Sequence, residues 1–373
     1  MKIAIEAQRI FRKNKHGMDF VVLESIRELQ NLDKTNEYYI IVSGGEDKDV
    51  LRETENFHIV EVKCPSYPLW EQIALPFTLL KIKPDILHCT SNTAPFFGKT
   101  PLLLTLHDII FLEKRQGWSK SFYQNLGWFY RRLVVPKAIR KCKKLITVSS
   151  FELNRIKESL KISDDRITYI YNGFGKHFSK IQDYQSITSN YIKDTKYIFF
   201  LGNTDPKKNT ENVLRAYAHY LNVSKVKSTL LIADLKESYV DSIIKELDIE
   251  YIKLNLCICG YIPNKDLPYI FSGATSFLYP SLRESFGIPI LEAMACGTPV
   301  ITSNLSSMPE IAGNSALLVD PYNFEDIAKG LLKIESDENF RNELISSGYE
   351  RVKHFSWKKT AAELLKIYNN YQQ

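Results

Sequence analysis

Short apolar runs alternate with amphipathic segments of helical length from one end of this chain to the other, and that rhythm restricts the fold more than any other feature. Strands separated by helices cannot be joined as hairpins. They pair in parallel, and helices cover both faces of the sheet. A first series places strands at 2–5, 38–42, 57–62, 85–88, 102–106, 145–148 and 167–171, with a helix at 18–30. Ser149 followed by Glu152 reads as a capping box opening the helix after the 145–148 strand. From 173 to 195 the pattern dissolves into polar residues such as Ser179, Gln182, Asp183 and Ser189, which reads as a linker. A second series follows, with strands at 197–201, 229–233, 254–259, 276–279, 300–302 and 316–319 and a helix starting near Asn209.

A chain of 373 residues is long for one hydrophobic core and comfortable for two. The expected division is 1–185 as the first domain, 186–355 as the second, and an amphipathic segment at 356–373 that returns to the first. Both domains are expected to be Rossmann-like doubly wound α/β units. With 44% hydrophobic and 25% charged residues, disordered and collagen-like classes are excluded. Glu6, Gln8 and Arg9 interrupt the first apolar run too early for a signal peptide, and no run approaches the roughly 20 residues of a membrane helix. The six cysteines are scattered, which suits reduced core residues in a cytoplasmic protein.

The net charge of +6 is concentrated. Between Glu113 and Lys144 ten Lys/Arg, among them Lys114, Arg115, Lys120, Arg131, Arg132 and Lys137, face that single acid, interleaved with Trp118, Phe122, Tyr123, Trp128, Phe129 and Tyr130. Such a stretch suits either an anionic bilayer surface, making the protein peripheral at the inner face of the cell membrane, or a packed helix with a solvated basic face. Nothing reads as a nucleic-acid recognition element. No Asp-x-Asp pair directly follows a strand, and neither a metal nor another cofactor is expected.

Four segments carry candidate chemistry. In 279–304, YPSLRESFGIPILEAMACGTPVITSN, a strand enters a tight turn and then a helix. A helix start offers unpaired N–H groups and the positive end of the dipole to a diphosphate. Gly287 permits close backbone approach and Pro289 suits a first helical turn. Glu284 precedes the turn and Glu292 lies seven intervening residues on, where a carboxylate can accept from vicinal hydroxyls. In 201–209, LGNTDPKKN, Lys207 and Lys208 follow a strand as an unpaired cationic pair suited to a departing diphosphate. In 104–109, LTLHDI, His107 and Asp108 stand just past a strand's carboxyl end. The first loop offers Lys13, Lys15, His16 and Gly17 ahead of a helix.

The 279–304 wording closely resembles the donor-site signature of the retaining glycosyltransferases of family 4, which have the two-domain GT-B fold, and the whole chain can be laid along that family. The resemblance implies two domains facing across a cleft, 1–185 on the acceptor side and 186–355 holding the nucleotide-sugar donor. It implies that Glu292 binds the donor ribose, while Glu284, with Ser285 and the backbone of Phe286, Gly287 and Ile288, contacts the donor sugar and diphosphate. Lys208 falls on the phosphate-binding lysine, Lys207 stands where arginine is common, and Gly202 and Asn203 complete that loop, with Asn203 where some members carry arginine. Gly260, Tyr261 and Ile262 take the place where the family's backbone meets the nucleobase. His107 would hydrogen-bond the transferring sugar, and Asp108 would orient its loop or approach the acceptor. Gly17 remains of a glycine pair set against donor phosphates or acceptor. The implied activity is transfer of a hexose, with retention, from GDP-mannose, UDP-glucose, UDP-galactose or a similar donor to a saccharide or lipid-linked acceptor of cell-surface polysaccharide or lipopolysaccharide synthesis. No convincing carboxylate nucleophile presents itself, so front-face substitution is favoured over a covalent intermediate. A nucleotide-sugar epimerase and a non-catalytic donor-binding subunit are the rival readings.

Overall fold

The computed structural model describes the chain apart from residues 14, 16, 113–121 and 372–373. His16, Lys114, Arg115, Trp118 and Lys120, together with the side chains of Phe122 and Tyr123, lie outside the described residues. By their contacts the described residues form two compact units, Met1–Gly173 with Trp357–Gln373, and Phe174–Ser356.

The first unit contains β1 (Lys2–Glu6), β2 (Glu37–Val42), β3 (Phe57–Glu61), β4 (Ile86–Cys89), β5 (Leu102–Thr105), β6 (Lys144–Thr147) and β7 (Ile167–Tyr169), in the order β3-β2-β1-β4-β5-β6-β7. The second contains β8 (Tyr197–Leu201), β9 (Thr229–Ala233), β10 (Leu256–Gly260), β11 (Ser276–Tyr279), β12 (Val300–Ser303) and β13 (Leu317–Val319), in the order β10-β9-β8-β11-β12-β13. Neighbouring strands pair in parallel throughout, with Phe199 opposite Leu231 and Phe277, for example. These are doubly wound Rossmann-like sheets.

The strands read as unbroken apolar runs because both faces are covered. Along β9, Leu230 and Ile232 enter one core while Leu231 and Ala233 enter the other. Ile3 and Ile5 on β1 likewise face away from Ala4. Successive side chains alternate across a sheet, so two apolar layers need apolar residues at every position. Each sheet reverses its build direction once, between β1 and β4 in the first unit and between β8 and β11 in the second. Connections leave on opposite sides there, opening a crevice beyond the strands' carboxyl ends.

The polar stretch at 173–195 is not a free linker. Phe178 and Ile192 are buried in the second core, Lys180 Nζ donates to Ser272 O (2.8 Å) and Ile181 N to Ser272 Oγ (2.9 Å). The two units therefore divide after Gly173 rather than at 185. A few anchors among many polar side chains leave no period for a sequence reading to detect.

Helix α1 (Gly17–Leu32) packs against the last helix, Trp357–Asn369, whose Ala361, Leu364 and Tyr368 join the core around Ile3 and Ile5. Tyr368 OH meets His88 Nδ1 at 2.7 Å, and His88 Nε2 meets Thr105 Oγ1 at 2.8 Å. Burial pushes the His88 pKa down to about 3, so the ring is neutral and depends on these partners. Tyr368→Phe should therefore leave one buried ring nitrogen unsatisfied and cost about 1–3 kcal/mol. A lowered urea midpoint is expected, and an unchanged midpoint would show that the hydroxyl contributes nothing net.

Candidate functional site

The carboxyl ends of β8 and β11 flank the reversal in the second sheet, and the two richest sequence segments begin there. After β8, Gly202 N donates to Ala233 O at 3.1 Å, and a Cβ at this position would stand 2.5 Å from Leu235 Cδ1. A side chain here would have to displace the buried Leu235. Asn203 is exposed, and its Oδ1 accepts from Asp205 N at 3.0 Å. Asp205 caps the single 3-10 turn Pro206–Lys208 by accepting from Lys207 N, and its carboxylate lies 3.4 Å from Lys207 Nζ.

Asn209 closes that turn in the left-handed region, at φ 62°. Its Nδ2 donates to Pro280 O (3.0 Å) and Pro321 O (2.7 Å), while Leu282 N donates to Lys207 O (2.7 Å). The lysine turn is thus tied to the loop leaving β11. Lys208 Nζ consequently sits 2.7 Å from both Glu284 Oε1 and Tyr279 OH, and 4.6 Å from the centre of the Tyr279 ring. The expected unpaired lysine pair is corrected here: each lysine has its own carboxylate, Lys207 with Asp205 and Lys208 with Glu284.

Beyond β11, Ser306 Oγ donates to Glu284 O (2.5 Å) and accepts from Glu284 N (3.1 Å). Ser307 Oγ reaches Glu284 O (2.9 Å) and Phe286 O (3.0 Å). Phe286 is buried, its ring edge-on to Phe355 with centres 6.0 Å apart, and Ser285 and Ile288 are half-buried. Gly287 adopts φ +96°, where a Cβ would also approach Ile290 Cδ1 to 3.1 Å. The helix that follows is Ile288–Ala295. Ile290 N donates back to Gly287 O and Pro289 has no N–H, so the Gly287 and Ile288 amides have no partner among the described residues. Two free amides at the positive end of a helix suit an anion. Glu292, one turn in, has no cation within salt-bridge distance among the described residues. Burial of its carboxyl pushes the pKa up to about 8.

On the next strand ends, Gly260 has φ +66° and its carbonyl accepts from Asp234 N at 2.7 Å. Tyr261 is exposed. Ile262 is buried in the core, so its side chain is unavailable to a ligand and only its backbone remains.

The first unit holds the other candidates. His107 N donates to Asn92 Oδ1 (2.7 Å), and its Nε2 lies 3.0 Å from Thr90 O. A carbonyl only accepts, so Nε2 carries the proton and Nδ1 is left as an acceptor. Burial lowers the His107 pKa and keeps the ring neutral. Asp108 Oδ1 accepts from Ile110 N at 3.0 Å and so shapes its own loop. Gly17 opens α1, is exposed, and would meet nothing within 4 Å if it carried a Cβ. Lys15 is paired with Asp47, and Lys13 Nζ lies 3.8 Å from Glu46.

The structure thus gathers Lys208, Glu284 and Tyr279, sets Glu292 and the Gly287 helix start on the same connection, and turns Lys207 toward Asp205. Sequence reasoning missed Tyr279, Asn209 and the Ser306–Ser307 pair as parts of the site. Tyr279 was detectable as a polar-tipped residue ending an apolar strand, whereas the serines signal their role only through a fold that places 306–307 beside 284–286. All six cysteines are free. Among the described residues no His/Cys/Asp/Glu cluster could hold a metal, and no helix is long and apolar enough to cross a membrane.

Residues 185–351 match the family model described as glycosyl transferases group 1, and residues 16–175 match that described as glycosyltransferase family 4. The O-antigen chain mannosyltransferase B of Escherichia coli is 29% identical over 64% of this chain and 64% of its own length. A serotype-specific mannosyltransferase, WbdA, of the same organism is 27% identical over 68% of this chain. This chain spans 32% of that larger relative. Among solved structures, the sucrose-phosphate synthase from Thermosynechococcus elongatus has a TM-score of 0.77 at 19% identity, covering 99% of this chain and 98% of its own. HepE of Anabaena, solved in complex with UDP and glucose, has a TM-score of 0.73 at 16% identity over 99% of each chain. The two family models follow one another along the chain, one on each parallel sheet, and the chain belongs to the family 4 glycosyltransferases of GT-B fold.

Proposed function

We propose that this protein transfers a hexose, with retention, from a nucleoside-diphosphate sugar to a saccharide or lipid-linked acceptor of cell-surface polysaccharide synthesis. The observation that carries the reading is the Lys208 ammonium held by Glu284 and Tyr279 at the reversal of the second sheet, with a helix start on the neighbouring connection. The mannosyltransferase relatives support mannose as the sugar and GDP-mannose as the first donor to test. The complex of HepE with UDP and glucose supports a nucleotide-sugar site in this fold.

In this reading the diphosphate takes the free amides at Gly287 and Ile288, and Glu292 accepts from the ribose hydroxyls. Sugar hydroxyls engage Glu284, which releases Lys208 from its carboxylate toward the phosphates. The C1–O bond to the diphosphate breaks as the acceptor oxygen bonds to C1 on the same face. The acceptor's proton passes to the leaving phosphate, whose growing charge Lys208 offsets. His107, neutral with Nδ1 free to accept, would position a sugar hydroxyl.

Donor turnover measured with and without acceptor tests the reading. Transfer that needs an acceptor supports it, whereas epimerised donor or binding without turnover would favour the rivals. Lys208→Ala should depress turnover by about a hundredfold, more than it weakens donor affinity, because the charge it meets grows as the bond breaks. Equal losses in both would make it a ground-state binding residue. His107→Ala should retain nucleoside-diphosphate binding yet lose most transfer.

Glu292 yields a prediction of its own. With a pKa of about 8 it is mostly protonated at pH 7, while two ribose hydroxyls donate best to the ionised form. Binding should therefore release a proton, and affinity should rise with pH by up to about tenfold per unit below that pKa. Calorimetry in buffers of different ionisation enthalpy counts the proton. Glu292→Gln should abolish its release, and equal release by the variant would remove Glu292 from the site.

A further inference from the structure

The first sheet also reverses, between β1 and β4, and a cavity of about 280 Å³ lies at that point. Arg9 and Arg12 reach it from the loop after β1, Ser91 and Asn92 from the loop after β4, and Arg131 from the helix Phe122–Lys141. Arg9 Nε is 3.2 Å from Asp19, which balances one charge. Arg12 and Arg131 are exposed and have no carboxylate partner among the described residues, and no acid lines the cavity. Tyr67 and Tyr130 form another part of the lining, their rings edge to face at 5.8 Å and both hydroxyls bound to the buried carboxylate of Glu71. The site is therefore stiff and cationic, and two planar guanidinium groups without carboxylates suit a phosphate ester.

Pro68 and Leu126 also line the cavity, and from them an apolar surface extends along two helical segments. In the consecutive turns Tyr67–Leu69, Trp70–Ala74 and Leu75–Ile82, the residues Trp70, Leu75 and Leu79 are buried. Yet Leu69, Ile73, Phe77 and Leu80, spaced to share the opposite face, are 44% to 69% exposed. On the helix Phe122–Lys141, Leu126, Phe129 and Leu133 share a face and are 45% to 64% exposed. Gln72 Nε2 donates to Tyr130 OH at 2.8 Å, which holds the two segments side by side. Seven large apolar side chains on adjacent helices are an interaction surface rather than scattered exposure. Across 63–84 and 122–144 the only acid is the buried Glu71, while Lys63, Lys81, Lys83, Arg132, Lys137 and Arg140 are exposed.

We propose that the cavity and the apolar surface together bind the acceptor, and that the acceptor is a phosphate or diphosphate ester of a long-chain lipid. The phosphate lies between Arg12 and Arg131, and the hydrocarbon runs over Leu126 and Leu69 toward Phe77 and Leu80. Exposed lysines and arginines around the strip face the anionic headgroups of the bilayer that holds such a lipid. This assignment rests on the glycosyltransferase reading for its role as acceptor site, but the binding itself needs no donor.

The test is calorimetry on the full chain, without nucleotide, using dodecyl phosphate below its micelle concentration, methyl phosphate and the neutral dodecyl maltoside. Dodecyl phosphate should bind at least about a hundredfold tighter than methyl phosphate, since each buried methylene is worth about fourfold, and tighter than the neutral amphiphile. Arg12→Gln with Arg131→Gln should weaken dodecyl phosphate by about tenfold or more. Phe77→Ser with Leu80→Ser, both largely exposed and so compatible with folding, should weaken dodecyl phosphate while leaving methyl phosphate unchanged. Thermal unfolding checks that both double variants fold. Equal binding of the neutral amphiphile, or no effect of the arginine pair, would overturn the phosphate site. Methyl phosphate as tight as dodecyl phosphate would overturn the lipid and indicate a soluble phosphate. Because donor is absent, failure of sugar transfer would leave this result standing, and failure here would leave the donor site untouched.

Discussion

The single reversal in each parallel sheet governs where anything polar can be assembled in this protein. Both faces of each sheet are consumed by packing, as the alternation of β9 between two cores shows. The strand ladders consume the backbone polar groups in between. Charged side chains are left with the carboxyl ends of the strands, and there only a reversal separates neighbouring connections enough to admit a ligand. Lys208 and Glu284 follow the two strands flanking one reversal, and Arg9 and Asn92 follow the two flanking the other. The Lys208–Glu284 pair and the arginine cavity thus occupy the same topological opening in their two sheets.

Within the second unit, the Lys208–Glu284 pair does more than join two loops. Both side chains are largely shielded, at 17% and 15% exposure, so neither charge could remain there alone without a large cost in desolvation. A cation shielded from water needs an anion beside it, and in the proposed function a ligand offering phosphate to one and hydroxyls to the other would replace the pair without stranding either. The neutral residues of the same neighbourhood follow that logic. Tyr279 supplies an oxygen to Lys208, and Ser306 and Ser307 fix the Glu284 and Phe286 carbonyls, while the Gly287 and Ile288 amides have no partner among the described residues.

Strand positions and the spacing of Glu284 and Glu292 were legible in the sequence because each rests on local signals: unbroken apolar runs, a positive-φ glycine, a proline in the first helical turn. The helix start at Ser149 was legible too, and its side chain does accept from Glu152 N. What escaped depends on long-range contact. Carboxylates at 205 and 284 claim the two lysines one each, which no spacing rule announces. Residues 67–82 escaped because they are apolar on both faces, contain Pro68 and Pro76, and pass through a π turn in which Leu75 N donates to Trp70 O. Without a polar face there is no amphipathic period to find.

That same doubly apolar helix explains a burial that would otherwise be costly. Glu71 lies on its inner side, and together with Glu6 at the end of β1 it puts two carboxyls into the interior behind the arginine cavity. Burial pushes both pKa values up, and the nearness of Glu71 raises Glu6 further. Tyr67, Thr93, Tyr130 and Gln72 all donate to Glu71, which offsets part of its desolvation without introducing a cation. A lysine or arginine in that role would have turned the carboxylate into an ordinary ion pair and left no reason for two tyrosines to be fixed at the cavity wall. Among the described residues neither interior carboxyl lies within ion-pair distance of Arg12 or Arg131, so the two guanidinium charges are left to the cavity that they line.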